Sequence, residues 1–185
     1  MMWEPEPAVG PTVVWLRDDL RLADNPALTA AALRGEKVLL VYVLDDVSRG
    51  IRPLGAASRW WLHHSLAALR ESVGGALVFR RGSAEEVIPS LVAETDATAV
   101  YWNRRYGPSR DIDARLEQHL RGAGLDVRTF AANLLHEPHT ITTGDGGAYK
   151  VFTPFWRACL DRPVREPLGT PNVLFGSAAT DSLDD

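Results

Sequence analysis

The sequence predicts an α/β fold, with a doubly wound, five-stranded parallel sheet in strand order 3-2-1-4-5 and helices on both faces. Three observations predict it. Short apolar runs rich in Val, Leu and aromatic residues are nearly continuous, as in strands that are covered on both faces. Segments with apolar residues at helical spacing lie between these runs. Strands that alternate with helices form parallel sheets through right-handed crossovers.

Each element has its own signal in the chain. The apolar runs predict strands at residues 12–16, 37–44, 76–79, 97–102 and 125–130. Apolar residues on one face predict helices at residues 26–34, 58–73, 84–95 and 109–121. Asp24 and Asn25 are suitable N-capping residues for the first helix and Ser83 for the third, and Gly35 is a suitable stop for the first.

The pattern changes after residue 130, and this change sets the predicted domain limits. We predict a flexible N-terminus at residues 1–11, the α/β domain at 12–131, and an incomplete inter-domain connection at 132–185. Within the connection, Thr153 is predicted to cap a short helix with Pro154 at its first position. From Asp161 onward the chain is polar and rich in Pro and Gly, which is typical of a linker.

Composition excludes several classes of protein. A net charge of -4 does not suit a chain that coats nucleic acid, because phosphate binding needs a concentrated basic surface. Cys159 is the only cysteine, which excludes an internal disulfide and a cysteine zinc site, and no metal site is expected. No apolar run has the length of a membrane span or of a secretory signal. We therefore expect a cytoplasmic protein without a membrane partner.

The end of the sheet where strand order reverses is the expected place for a ligand. The predicted order puts this crevice between the loops after the first and fourth strands. The first loop, residues 17–24, contains no glycine, so a dinucleotide cradle is not expected there. Its charges have two interpretations. Either Arg17 or Arg21 grips a ligand or a neighbouring domain, or Arg–Asp pairs fix the loop.

Two further loops supply the candidate ligand pocket. After the fourth strand, Asn103, Arg105 and Tyr106 offer groups that suit a planar, polar chromophore, although solvated side chains on an exposed loop are the alternative. The loop at 45–57 is long for a βα connection, which indicates either a function or a plain surface excursion. The candidate pocket residues are Asp45, Asp46, Arg52, Asn103, Arg105, Tyr106 and Arg110.

Three segments carry a resemblance to a known family. Residues 14–28, VWLRDDLRLADNPAL, resemble the opening signature of DNA photolyases and cryptochromes. Residues 58–62, SRWWL, are similar to the start of that family's second helix, and residues 149–155, YKVFTPF, to the segment through which the chain leaves its α/β domain. The segments follow the family's order at compatible spacing. The resemblance, which spans roughly residues 12–160, identifies the chain as the N-terminal α/β domain of that family.

The resemblance implies the function of the chain. In such two-domain proteins the α/β part holds an antenna chromophore (a folate, a deazaflavin or a flavin), which passes excitation to FAD in a helical domain. Reduced FAD then repairs pyrimidine dimers flipped out of DNA. The chain is expected to be the antenna domain of a deoxyribodipyrimidine photolyase, truncated before the helical FAD domain and inactive alone, with damaged DNA bound only by the full-length protein.

The resemblance assigns no catalytic residue to this chain, because those residues belong to the helical domain. The residues expected to face that missing domain are Arg17, Arg21, Tyr149, Phe152, Phe155 and Trp156.

Two positions depart from the family's pattern. Asp18 stands where a basic or amide residue is usual. Ser109 and Arg110 stand where folate-binding members have an Asn-Glu pair, which weakens the folate assignment and leaves a deazaflavin or flavin antenna, or an empty site, open. Two alternative functions stay open: the same domain of a cryptochrome blue-light photoreceptor, or a free-standing α/β nucleotide-binding module.

Overall fold

The computed structural model describes residues 10–107 and 109–183, which form one parallel sheet of five strands with helices on both faces. The strand order is β3-β2-β1-β4-β5, which confirms the predicted order. The strands are β1 (Thr12–Leu16), β2 (Val38–Leu44), β3 (Leu77–Arg81), β4 (Ala99–Asn103) and β5 (Asp126–Phe130). The helices are α1 (Pro26–Leu33), α2 (Ala56–Ser72), α3 (Ala84–Thr95), α4 (Arg110–Gly122) and α5 (Phe152–Leu160), with a 3₁₀ turn at Pro138–Thr140. Residues 1–9 of the predicted flexible N-terminus lie outside the described residues.

The central strand explains the continuous apolar runs. Every residue of β1 is buried, and Val14 lies in register with Leu40 of β2 and Tyr101 of β4. One face of the sheet is covered by α1 and α2, and the other by α3 and α4, so both sets of alternating side chains enter a core. Trp15 and Trp102 pack edge to face in the second core, with 5.8 Å between ring centres.

Of the N-capping residues predicted for α1 and α3, the structure shows a side-chain capping bond only in α1. The Asn25 side chain accepts a hydrogen bond from the Leu28 amide at 3.1 Å, which confirms it as the cap of α1. Ser83 occupies the N-cap position of α3, but its side chain makes no capping bond. The carboxylate of Asp45, from the loop after β2, accepts the Ala84 amide at 3.0 Å instead.

The predicted start of α5 was wrong by two residues. The helix begins at Phe152, after the extended residue Val151, whereas Thr153 was expected to be the cap and Pro154 the first residue. Pro154 is tolerated at the third position because the first four amides of a helix have no partner within it, so its missing N–H costs no hydrogen bond.

The predicted linker after Asp161 packs against the domain. We call residues 165–183 the strap. The Arg165 side chain pairs with Asp24 at 2.5 Å, and the Asp24 amide donates to the Leu168 carbonyl at 2.7 Å. Further along, the Val38 amide donates to the carbonyl of Leu174 at 2.9 Å. The strap is therefore bonded to the domain from its first residues.

The last part of the strap covers the edge strand. The Asp181 amide donates to the Phe79 carbonyl at 2.8 Å, and the Phe79 amide donates to the Thr180 hydroxyl at 2.9 Å. The Arg81 amide donates to the Asp181 carboxylate at 2.9 Å. These bonds satisfy polar groups of β3 that would otherwise form an open sheet edge.

Among the helices of the described residues, none combines the length and the apolar character that a membrane crossing requires.

Candidate functional site

A cleft with a volume of about 1050 Å³ opens at the carboxyl ends of β1 and β2. One wall is the loop after β1, and the other is formed by the loop after β2 and the first turns of α2. Arg105 and Ser109 line the cleft from the segment that follows β4. Because parallel sheets bind ligands at this end of their strands, and small-ligand pockets have volumes of roughly 300–1,000 Å³, the cleft is the candidate ligand site.

The crevice between β1 and β4, where a ligand was expected from strand order, is filled by side chains. The amide of Asn103 is buried there and donates to Asp19 at 2.6 Å and to Asn25 at 2.8 Å. Its oxygen accepts the Ala27 amide at 3.1 Å. The open part of the site therefore lies on the β2 side of β1, and Asn103 lies beneath the loops without lining the cleft.

Arg17 is fixed by buried partners, as the loop-pairing interpretation of the first loop predicts. Its Nη1 donates to Asp113 at 3.0 Å, and its Nη2 donates to the Asn103 carbonyl. The Arg17 amide also donates to the Asp19 carboxylate at 2.8 Å. Burial lowers the pKa of Arg17 to about 10, while the charge of Asp113 opposes that shift. With 4% of its side chain exposed, Arg17 lies at the bottom of the cleft and away from the outer surface.

Three side chains form what we call the cleft floor: Trp15, Arg17 and Arg105. The guanidinium carbon of Arg17 lies 4.2 Å from the centre of the Trp15 ring, and that of Arg105 lies 5.4 Å from it. Within residues 10–107 and 109–183, Trp15 Nε1, Arg17 Nε and Arg105 Nε are buried without a hydrogen-bond acceptor. Buried N–H groups normally have partners, so a floor with three unsatisfied donors suits a ligand that supplies acceptors.

Two acidic residues of the predicted pocket line the cleft, but both are already paired. The Asp45 carboxylate accepts the amide and hydroxyl of Ser48, at 2.9 and 2.8 Å, in addition to the first amide of α3. Asp46 pairs with Arg59 of α2 at 2.8 Å. These contacts shape the wall of the cleft. Arg52, which also lines it, is exposed and stays available to a polar part of a ligand.

Aromatic side chains on the wall were not among the predicted pocket residues. Tyr42 at the end of β2 and Trp61 of α2 both line the cleft, and Trp61 is 69% exposed. Burial, together with the charge of Asp18, raises the pKa of Tyr42 to about 12, so its phenol stays neutral. The signal that could have located Trp61 is its position in the first turns of the helix that follows a long loop.

Tyr106 and Arg110 lie outside the cleft lining, although both were predicted pocket residues. The Tyr106 hydroxyl donates to Glu137. Arg110 is exposed at the start of α4. Of the seven predicted pocket residues, Asp45, Asp46, Arg52 and Arg105 line the cleft.

A second surface consists of the aromatic residues around α5, which we call the aromatic face: Tyr149, Phe152, Phe155 and Trp156. Phe152 is 71% exposed and Trp156 48% exposed, and their rings stack with 6.3 Å between centres. Tyr149 packs against Phe155 at 6.3 Å. Arg21, which was predicted to face the same partner, is partly exposed and donates to the carbonyls of Asp24 and Ala132, each at 3.1 Å.

Comparison with known proteins finds a family match and relatives over most of the chain. The sequence model described as DNA photolyase matches residues 12–172. The deoxyribodipyrimidine photo-lyase of Agrobacterium fabrum is 51% identical over 152 residues, which are 80% of this chain and 31% of that protein. Cryptochrome-1 of Arabidopsis thaliana is 36% identical over 184 residues, which are 95% of this chain and 27% of that protein.

A solved structure shows the same likeness in three dimensions. The crystal structure of a bacterial class III photolyase from Agrobacterium tumefaciens superposes with a TM-score of 0.88 at 43% identity, over 97% of this chain and 38% of that one. The chain thus spans about a third of the length of the relatives that it matches. On the family match and the shared fold, the chain belongs to the DNA photolyase family.

Proposed function

We propose that this chain is the antenna-chromophore domain of a deoxyribodipyrimidine photolyase, and that the cleft holds the chromophore. The observation that carries the proposal is the cleft itself, with its donor floor and aromatic wall at the ligand-binding end of the sheet. Identity of 51% to a photolyase against 36% to a cryptochrome supports the repair branch of the family.

The residues of the cleft fit a flat, polar ring system. Trp61 offers an exposed aromatic surface on which such a ring can stack. The floor offers N–H donors to the ring edge, and Arg52 is placed to meet a polar or anionic tail. A bound antenna chromophore supplies light absorption and transfer of excitation energy to a flavin. The chain's own contribution is to bind this ring, orient it and exclude water from its buried edge.

The aromatic face fits the second proposed partner, a helical FAD domain. It is a contiguous set of exposed apolar side chains, which is characteristic of a surface that meets another domain or protein. We propose that the α/β domain covers residues 12–131, that residues 132–185 begin the connection, and that damaged DNA is bound by the full-length protein. The net charge of -4 supports this assignment, because it does not favour direct binding of phosphates.

A binding experiment tests the proposal. The chain is titrated with FMN, an 8-hydroxy-5-deazaflavin and 5,10-methenyltetrahydrofolate, and in parallel with AMP and ATP, by fluorescence and equilibrium dialysis. We expect saturable binding of at least one chromophore, no saturable binding of adenine nucleotides, and no light-dependent splitting of pyrimidine dimers.

A matched pair of variants assigns binding to the cleft. Trp61→Ala removes the exposed ring of the aromatic wall, whereas Trp60→Ala removes the adjacent, similarly exposed side chain that does not line the cleft. Only Trp61→Ala is expected to weaken chromophore binding, by roughly 10-fold for a lost stacking contact. Saturable ATP binding without chromophore binding would instead support a nucleotide-binding module.

A further inference from the structure

One buried carboxylate, which is not part of the cleft floor, pairs with two of the floor's three side chains. Asp113, in the first turn of α4, is 8% exposed and uses both of its oxygens. Its Oδ2 accepts Arg17 Nη1 at 3.0 Å and its Oδ1 accepts Arg105 Nη2 at 2.7 Å. One carboxylate therefore holds two guanidinium groups, which lie over and beside the Trp15 ring.

This arrangement leaves the floor with hydrogen-bond donors that have no acceptor in the described part of the chain. The charges of the two guanidinium groups are balanced nearby, because Asp113 pairs with both and the buried Asp19 carboxylate lies close to Arg17. The Nε–H groups of both arginines, and the indole N–H of Trp15, have no acceptor among the described residues. Guanidinium and indole groups donate hydrogen bonds and cannot accept them, so a complementary ligand must present an acceptor.

We infer that Asp113 is a positioning residue that holds Arg105, with Arg17 packed beside it on the Trp15 ring, as a hydrogen-bond donor to a ring carbonyl of the antenna chromophore. This inference rests on the proposed function of the cleft. Arg105 is the donor that a ligand meets most directly, because 14% of its side chain is exposed against 4% for Arg17.

The ligand class follows from this geometry. A ring carbonyl is shared by flavins, deazaflavins and the pterin of folates, so all three fit the floor and the titration distinguishes them. Adenine carries ring nitrogens as acceptors but no ring carbonyl, so the parallel titration with AMP and ATP tests whether the floor recognises the carbonyl.

The test compares four variants of the chain by affinity for FMN and for methenyltetrahydrofolate. Arg105→Met removes the donors at similar length, and Arg105→Lys keeps a charged donor. Asp113→Asn removes the charge that holds both arginines. Arg104→Met is the matched control, since Arg104 is adjacent, pairs with Glu137 and does not line the cleft. Thermal unfolding establishes that each variant is folded.

We expect Arg105→Met to weaken binding of the chromophore roughly 10- to 100-fold, as for the loss of a hydrogen bond to a charged group. Asp113→Asn weakens it less, Arg105→Lys restores part of the loss, and Arg104→Met stays within about twofold. Infrared difference spectra of the bound ring supply a readout that a merely structural role does not move. Its carbonyl stretch shifts to higher frequency in Arg105→Met, because a hydrogen bond to the carbonyl is lost.

Two results would overturn the inference in different ways. If the wild-type chain binds a chromophore while Arg105→Met changes neither the affinity nor the carbonyl band, the inference is wrong and the proposed function stands. If the wild-type chain binds none of FMN, the deazaflavin and the folate, the proposed function is wrong and the inference falls with it.

Discussion

Asn103 shows how a single side chain decides which part of the crevice is open. Its amide joins three segments, since it donates to Asp19 and Asn25 and accepts the Ala27 amide. All of these groups are buried. A side chain that could not make these bonds would leave one oxygen of the Asp19 carboxylate and the Ala27 amide without partners in the protein interior, at about 1–3 kcal/mol for each group.

Replacement of this amide should therefore be costly. We expect Asn103→Ala to lower the free energy of unfolding by about 2–4 kcal/mol, measured by urea denaturation followed by circular dichroism. Asn133→Ala is the control, because Asn133 is exposed and makes one bond to the Arg104 carbonyl; its effect should stay below about 0.5 kcal/mol. Equal effects of the two substitutions would show that the buried network is not a stabilising element.

Asp24 makes the attachment of the strap sensitive to acid. The hydrogen bond from Arg165, and then that from the Leu168 amide, lower the pKa of the Asp24 carboxyl below its ordinary value of 3.8. A carboxyl whose pKa is lower in the folded state stabilises that state above the unfolded pKa, and this contribution disappears as the pH falls through the folded pKa. The strap is therefore expected to loosen at its first anchor in acid.

The comparison of wild type with Asp24→Asn tests this pH dependence. Asparagine tolerates the left-handed backbone that Asp24 adopts, at φ +51°, and keeps an acceptor for Leu168, but it carries no charge. We expect the wild type to have the larger free energy of unfolding at pH 7. This difference should vanish as the pH falls below the pKa of the Asp24 carboxyl in the folded state. Denaturant unfolding between pH 7 and pH 2.5 measures it; a difference that persists at the lowest pH would contradict the assignment.

At the scale of the element, α5 is a helix whose predicted start was two residues too late and whose surface carries exposed aromatic side chains. Its aromatic face is exposed, so these side chains add little to the stability of the domain, yet they favour contact with another apolar surface. For the chain on its own, the available surface is a second copy of the same face.

Substitution on this face should change association without changing stability. We expect the double substitution Phe152→Ser with Trp156→Ser to reduce concentration-dependent self-association, measured by sedimentation velocity, while the free energy of unfolding stays within about 0.5 kcal/mol. Leu33→Ser, at an 83% exposed apolar residue at the end of α1, is the control and should leave association unchanged. A monodisperse wild-type monomer at high concentration would contradict this expectation.

The strands and helices were predictable because apolar runs and helical spacing are patterns within short segments of the chain. All five strands lie within two residues of their predicted limits, and α3 coincides with its predicted range. The capping of α3 by Asp45 was not predictable, because the two groups are 39 residues apart in the chain. The same limit applies to the site. Strand order indicates the correct end of the sheet, but the side on which it opens depends on the long-range contacts of Asn103.

At the scale of the whole molecule, the strap is the feature that local patterns failed to show. Its sequence has no periodicity, yet Val173, Phe175 and Leu183 pack against the core on the α1 and α2 side of the sheet. Its backbone bonds to β2 and β3 then cover the sheet edge. A stretch that resembles a linker in composition thus packs onto the α/β domain.

Removal of the strap's last part should destabilise the domain and expose its edge. We expect a chain that ends at residue 172 to lose at least about 3 kcal/mol of unfolding free energy, since Phe175 and Leu183 leave their apolar contacts. It should also aggregate more readily through the uncovered β3. Urea denaturation and light scattering measure both effects. A chain that ends at residue 183 is the control and should match the full chain, whereas unchanged stability after removal of residues 173–185 would show that the strap is dispensable.

The strap also determines how the domain responds to mechanical tension. A load applied at residue 183 acts first on the contact of the Leu183 carbonyl with His63, then on the bonds at Asp181 and Thr180, then on those at Gly176 and Leu174, and last on the anchor at Asp24. These attachments carry the force one after another, whereas the strands of the sheet share it. Peeling the 19 residues of the strap would release roughly 65 Å of extended chain while the sheet stays folded. The strap would therefore detach before the sheet unfolds, so that tension along the polypeptide would not deform the cleft.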